Sequence, residues 1–176
     1  MKTILLTLCV SVSLAALSQQ RINPVIKKGG GVFEVPDAVE KPDPSMAYKI
    51  VIELASGSED PKEINQALNI VARLINLHVL AGVPKSNLNI VVAIHGEATY
   101  TITHSKAYEK KYDAPNPNID LYKELAEAGV KLVVCGQSLI ARNVDRANII
   151  PEIKIATSML TTVTTYQMKG YAYLKL

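Results

Sequence analysis

Five short apolar runs, each set apart from the next by helical periodicity or turn chemistry, restrict this chain more than any other feature: Ile50–Leu54, Asn89–Ile94, Val130–Cys135, Ile153–Ala156 and Tyr171–Leu176. Runs of four to six residues, mostly rich in β-branched side chains, have the length of strands rather than helices. Continuity of the apolar character, instead of alternation, is what a strand buried on both faces requires. Between the first two runs, Ile64, Leu68, Val71, Ile75 and Val79 recur at helical spacing and stop at Ala81-Gly82-Val83-Pro84, where a helix C-terminus wants glycine and proline. Gly57-Ser58-Glu59-Asp60-Pro61 punctuates the strand and caps that helix, and Glu59, Asp60 and Glu63 read as acids welcomed by its N-terminal dipole.

The pattern repeats downstream. Asn118 caps a helix through Leu121, Leu125 and Ala128 that ends at Gly129. A short helix starts at Ser138, and Thr157 or Ser158 caps another through Met159, Val163 and Tyr166, closed by Gly170. Glu97 to Pro117 is polar and leaves room for one short helix. Strands alternating with helices predict an α/β fold: a doubly wound, mainly parallel five-stranded sheet with helices on both faces, because parallel neighbours need crossover connections.

Three stretches organise the chain. Residues 1–18 read as a secretory leader, with Lys2 as the positive region, Ile4 to Leu17 as the apolar stretch, and cleavage after Ser18. The 14 residues from Ile4 to Leu17 fall short of the roughly 20 needed to span a bilayer, so the expectation is an exported protein, periplasmic or extracellular, without a membrane anchor. Residues 19–46, with Pro24, Gly29-Gly30-Gly31, Pro36, Pro42 and Pro44, form an extended segment whose Val32, Phe33 and Val35 are expected to lie on a surface, a neighbouring subunit being one candidate. Residues 47–176 form the α/β domain. Losing Lys2 leaves 18 basic against 16 acidic residues, too even a balance for nucleic acid or an anionic membrane as partner.

Cleavage also removes Cys9, leaving Cys135 as the one thiol of the mature chain. In an oxidising compartment an unpaired cysteine is a reactive thiol, an intermolecular bridge or a buried bystander. Its place favours chemistry, since ligands and reactive groups of open parallel sheets collect beyond the carboxyl ends of the strands, and the N–H groups of Gly136, Gln137 and Ser138 are positioned to polarise a sulfur there. The bland alternative, a small inert hydrophobe at a strand end, stays open. His95 ends the second strand on the same rim, either as a proton shuttle for the thiol or as a polar residue bonded to backbone. A metal site from Cys135, His95 and His104 lacks any local ligand spacing, and no metal is expected. His78 falls near the apolar face of its helix, where a hydrogen-bonded rim residue is expected. Arg142 and Arg146 read as a solvated face neutralised by Asp145. No dinucleotide fingerprint, phosphate loop or nucleophile-elbow serine is present.

Gly129-Val130 before the third strand, Cys135-Gly136-Gln137-Ser138-Leu139 after it, Val92-Ala93-Ile94-His95-Gly96 and the terminal Gln167-Met168-Lys169-Gly170-Tyr171 together resemble the DsrE/DsrF-like proteins over about residues 47–176. The resemblance implies layered α/β subunits assembling into homo-trimers or hexamers, and in some members a sulfur relay through a persulfide on a strand-end cysteine, the position that Cys135 matches. It implies for this chain a sulfur carrier or sulfurtransferase-type subunit, with a sulfur donor or acceptor protein or a small sulfur compound as partner and no cofactor. A non-catalytic oligomeric binding or scaffold protein with a structural cysteine is the competing reading. A third takes Cys135-x-x-Ser138 as a thioredoxin-like monothiol site facing Ile150-Pro151, although such motifs follow an early strand and pair with a resolving cysteine.

Overall fold

The computed structural model describes residues 19–176, so the leader assigned to 1–18 lies outside the described residues. Each apolar run forms a strand: β1 (Tyr48–Leu54), β2 (Leu88–Ile94), β3 (Lys131–Cys135), β4 (Lys154–Ala156) and β5 (Ala172–Lys175). They pair in the order β4-β3-β2-β1-β5, and every pairing is parallel. The connecting helices are α1 (Gln66–Leu80), α2 (Ser105–Tyr112), α3 (Ile119–Glu127), α4 (Gly136–Ala141) and α5 (Met159–Met168). The expected doubly wound α/β sheet is the architecture observed.

Strand order dictates which helix covers which face. From β1 to β4 the chain steps one strand at a time in one direction, and right-handed crossovers then place all the intervening helices on one side. The last connection runs back across the whole sheet to the opposite edge, so the same handedness puts α5 on the other side. The apolar clusters agree. Alternate strand residues such as Ile52, Val92 and Val134 join Leu68 and Val71 of α1, Leu121 and Leu125 of α3 and Leu139 of α4 in a large core. The residues between them, Val51, Val91, Ala93 and Val133, meet only Val163 of α5 as a buried partner.

Several local expectations are corrected. Helix α1 starts at Gln66 with Asn65 as its cap, whose side chain accepts the Leu68 N–H at 2.9 Å, and its first turn holds no acid. Glu59, Asp60 and Glu63 therefore do not serve its dipole; the Asp60 carboxylate instead receives the Lys62 amide at 2.9 Å. Asn118 stands at the cap position of α3 without capping it, because its side-chain oxygen is taken by the Asn65 N–H at 2.8 Å, tying two loops together. The polar middle holds a 3-10 turn at Gly96–Ile102 as well as α2. Helix α4 begins at Gly136, two residues earlier than expected, since Cys135 itself occupies the cap position.

The segment before β1 lies on this chain's own helices. Ile22 and Val32 pair as an antiparallel bridge, and Ile26 is buried. Asn76, fully buried on α1, accepts the Val25 and Ile26 amides at 3.0 and 2.9 Å and donates to the Ile26 and Gly30 carbonyls at 3.1 Å each. The Glu124 carboxylate of α3 accepts the amides of Lys27 and Lys28 at 2.7 and 2.8 Å. Gly30 adopts φ +68° so close to α1 that a Cβ would stand 2.3 Å from the Arg73 amide nitrogen, which accounts for glycine there.

Candidate functional site

Adjacent strands whose connections leave toward opposite faces open a crevice at their carboxyl ends. In this sheet that place lies between β3, which leads to α4 on the large-core side, and β4, which leads to α5 on the other. Cys135 is the last residue of β3. Because Val133 belongs to the α5 side and Val134 to the large core, alternation turns the Cys135 side chain toward α5.

Its surroundings follow from two helix starts. The first N–H groups of any helix lack intrahelical acceptors, so they are free to point at a neighbour. Ser158 caps α5 by accepting the Leu160 N–H at 3.1 Å, which leaves the Met159 amide for the sulfur. From α4 come the amides of Gln137 and Ser138 and the Ser138 hydroxyl. Burial is the largest influence on the thiol and raises its pKa, but the Met159 amide, the Ser138 hydroxyl and amide and the Gln137 amide together outweigh it, so the thiol lies below its ordinary value. No charged side chain contributes to that lowering. Cys135 is 6% exposed, so little of it is open to solvent. Gly136 makes the convergence sterically feasible: a Cβ there would sit 2.9 Å from the Ala156 carbonyl oxygen and 3.4 Å from that of Thr157, both at the end of β4.

His95 follows β2 directly. The β2–β3 register pairs Ile94 with Val134, so His95, just past β2, and Cys135, the last residue of β3, follow that pair on neighbouring chain segments. The ring nevertheless turns the other way: Nε2 lies 2.9 Å from Oε1 of Glu53, on β1. Glu53 is a buried acid that also accepts the Tyr173 hydroxyl on Oε2, with Lys175 Nζ 3.9 Å from Oε1. Burial raises the Glu53 pKa, yet the Tyr173 hydroxyl, His95 and Lys175 overcome it and hold the carboxyl below its usual range, while the Tyr173 hydroxyl is raised by giving its hydrogen to that carboxylate. The rim thus carries, strand by strand on one face, Cys135, His95, Glu53 and the β5 pair Tyr173 and Lys175.

The remaining candidates lie elsewhere. His104 caps α2, its Nδ1 accepting the Ala107 N–H at 3.3 Å, and does not join Cys135 and His95. His78 Nδ1 is 2.8 Å from the Leu74 carbonyl and the ring packs edge-on against Tyr48. Arg142 pairs with Glu97 at 3.3 Å rather than with Asp145, whose carboxylate is occupied by the Ala147 N–H. Among the described residues no group of three or more His, Cys, Asp and Glu side chains is placed to hold a metal ion, and no helix is long and apolar enough to cross a membrane. A groove of about 550 Å³ between Phe33–Pro42 and the end of α1 shares no residue with the sulfur site.

Sequence reasoning missed Met159, Glu53 and Tyr173. Glu53 had a signal, being the one charged residue inside the run Ile50-Val51-Ile52-Glu53-Leu54. Met159 and Tyr173 had none, because only the strand order brings them to β3 and β1.

The model of the DsrE/DsrF-like family matches residues 49–176. Solved structures share the fold, among them the following two. The protein of unknown function MTH1491 from Methanobacterium thermoautotrophicum has 18% identity and a TM-score of 0.54, with 73% of this chain and 99% of that one covered. The ychN protein from E. coli has 17% identity and a TM-score of 0.53, with 73% and 99% covered. No curated protein matches the sequence.

Proposed function

This chain belongs to the DsrE/DsrF-like family, and we propose that it handles sulfur through Cys135, as an exported, homo-oligomeric persulfide carrier or sulfurtransferase-type subunit. The observation that carries this reading is the convergence of peptide N–H groups from the starts of α4 and α5 on one sulfur. Donors fixed in the backbone stabilise an anion without reorganising, so they favour the thiolate before reaction and an anionic persulfide after it. In the loading step the Cys135 thiolate attacks the outer sulfur of a donor R–S–SH; the S–S bond of the donor breaks, Cys135 keeps the outer sulfur, and R–S⁻ leaves to be protonated. Residues Gly136, Gln137 and Ser138 bind the sulfur adduct, and His95 serves the proton. The partner is a sulfur donor or acceptor, protein or small compound.

The test is to offer the mature chain a sulfane-sulfur donor and weigh the intact protein. One added sulfur atom, absent in Cys135→Ser, is the expected result; no adduct with any donor refutes the proposal. The burial of Cys135 favours a second reading, a binding or scaffold protein in which the cysteine fills space. Alkylation that becomes measurable only on denaturation selects that reading instead.

A further inference from the structure

A hollow of about 160 Å³ lies between α2, the end of the 3-10 turn Gly96–Ile102 and the loop after α4, and it shares no residue with the sulfur site. Three tyrosines wall it. Tyr108 and Tyr112, four residues apart on α2, project from one helix face with ring centroids 4.6 Å apart. Tyr100, from the turn, stands edge-on to Tyr112 at 6.2 Å and 86°. Tyr108 is held by giving its hydroxyl hydrogen to the Pro61 carbonyl at 3.0 Å. Burial chiefly pushes the Tyr112 phenol up to about 12, so this wall is a neutral ring at any ordinary pH.

This hollow already attracts an ammonium. Lys111 Nζ lies 4.0 Å from the Tyr100 ring centroid and 5.3 Å from that of Tyr112, within the roughly 6 Å over which a ring face draws a cation. Among the described residues Lys111 has no carboxylate partner, so the ring faces are what hold it. A primary ammonium placed there leaves its N–H donors to water, whereas a quaternary ammonium has no N–H to satisfy and gives up less on leaving water. Asp145 also lines the hollow; its Oδ1 accepts the Ala147 N–H at 2.9 Å, and Oδ2 is left for a cation. We infer that the hollow binds a small quaternary ammonium group against Tyr100 and Tyr112, the Lys111 side chain occupying that position until such a group displaces it. Pockets for drug-sized ligands hold about 300–1,000 Å³, so a hollow of about 160 Å³ takes a headgroup of the choline kind and not a large molecule. The site is independent of the sulfur chemistry.

The experiment titrates the full mature chain with tetramethylammonium chloride, with sodium chloride at matched ionic strength as the blank, and follows side-chain protons by NMR. In the protein alone, the ε-methylene protons of Lys111 are expected upfield, shifted by the Tyr100 ring current. As tetramethylammonium binds, they should return saturably to their ordinary position while the Tyr100 and Tyr112 ring signals move. Lys111→Met removes the resident ammonium and should tighten binding at least about fivefold, because the site no longer has to be vacated first. Tyr100→Leu should weaken binding at least about fivefold through loss of a ring face. Asp145→Asn keeps the capping oxygen, removes the charge, and should weaken binding by a smaller factor. If Tyr100→Leu fails to fold, the substitutions at Lys111 and Asp145, both exposed, still decide. A wild type whose signals move no more than with sodium overturns the inference, as does a Lys111→Met protein that binds no tighter or a Tyr100→Leu protein that binds as tightly as the wild type. Inorganic phosphate that shifts the Lys111 signals in preference to tetramethylammonium also overturns it, by making the hollow an anion site.

Discussion

Gly136→Ala tests the proposed electrostatics at its weakest steric point. A methyl at this position meets the Ala156 carbonyl oxygen at 2.9 Å, whereas ordinary contact begins near 3.4 Å. The obstacle is backbone, so the end of β4 must retreat from β3 by about half an ångström. Such overpacking costs about 1–3 kcal/mol, against a gain of up to about 1 kcal/mol from replacing glycine in a helix. A net loss of stability is therefore expected, read by urea denaturation. The retreat carries the Met159 amide away from the sulfur. A helix terminus is worth about 0.3–1 kcal/mol to a nearby charge, so losing part of that stabilisation should raise the thiol pKa. The rate at a single pH is a poor measure, because a thiolate of higher pKa is also a better nucleophile and offsets part of the loss. The midpoint of the pH–rate curve for iodoacetamide alkylation, with Ser138→Ala as the comparison that removes a donor without moving β4, is the proper assay. A Gly136→Ala protein as stable as the wild type, with an unmoved midpoint, refutes the claim that α5 helps to set the thiol.

Glu53 links stability to acid pH. Its folded pKa is depressed, so its contribution is present above the unfolded carboxylate value and is lost as pH falls through the lower folded value; the gap in melting temperature between wild type and Glu53→Gln should shrink across that window in a scanning-calorimetry series. Asn76→Ala removes the partner of five backbone groups of the N-terminal segment, of which the Ile26 and Gly29 carbonyls keep the Asn23 amide while the Val25 and Ile26 N–H groups and the Gly30 carbonyl lose theirs; a loss of about 1–3 kcal/mol, with early proteolytic cutting between residues 19 and 32, is expected. Tyr112, half-buried beside Tyr108 and Tyr100, is pushed up to about 12, chiefly by burial; Tyr112→Phe should remove a late step from the ultraviolet alkaline titration, and an unchanged curve contradicts the assignment.

Elements whose period is fixed by burial were legible in the sequence. The runs of the three central strands specify strands because a sheet covered on both sides leaves them few polar positions, whereas β4 and β5 are edge strands and largely exposed; Leu68, Val71 and Ile75 specify α1 because one helical face must be apolar. Cys135 at a strand end, followed by a helix, was legible for the same reason. Features set by long-range pairing were not. Asn118 looked like a cap, but an amide side chain can serve any backbone N–H that comes near, and Asn65 comes near only in the folded chain. Asn76 interrupts an apolar face, and nothing local indicates that residues 25 to 30 will bring five backbone groups to it. The acids Glu59, Asp60 and Glu63 looked like the charges of a helix start, yet the helix begins where Asn65 is held by its partner.

Both halves of the candidate site depend on the final crossover. Had the chain after β4 continued as before, its helix would lie on the large-core side, no crevice would open between β3 and β4, and the Met159 amide would face away from Cys135. Because it returns across the sheet instead, the start of α5 meets the sulfur at one edge, and β5, delivered to the other edge, brings Tyr173 and Lys175 to Glu53. Residues 157–176 therefore supply a donor to the thiol at their beginning and two to the carboxylate near their end, with His95 spanning the strand between. A perturbation of α5 packing, such as Val163→Ala in the small core, should move the thiol midpoint and the Glu53-linked acid stability together. A variant confined to the large core, such as Leu68→Ala, should lower overall stability while leaving both pH midpoints in place. If Val163→Ala shifts neither, the two groups are held independently of α5, and the crossover does not organise the site.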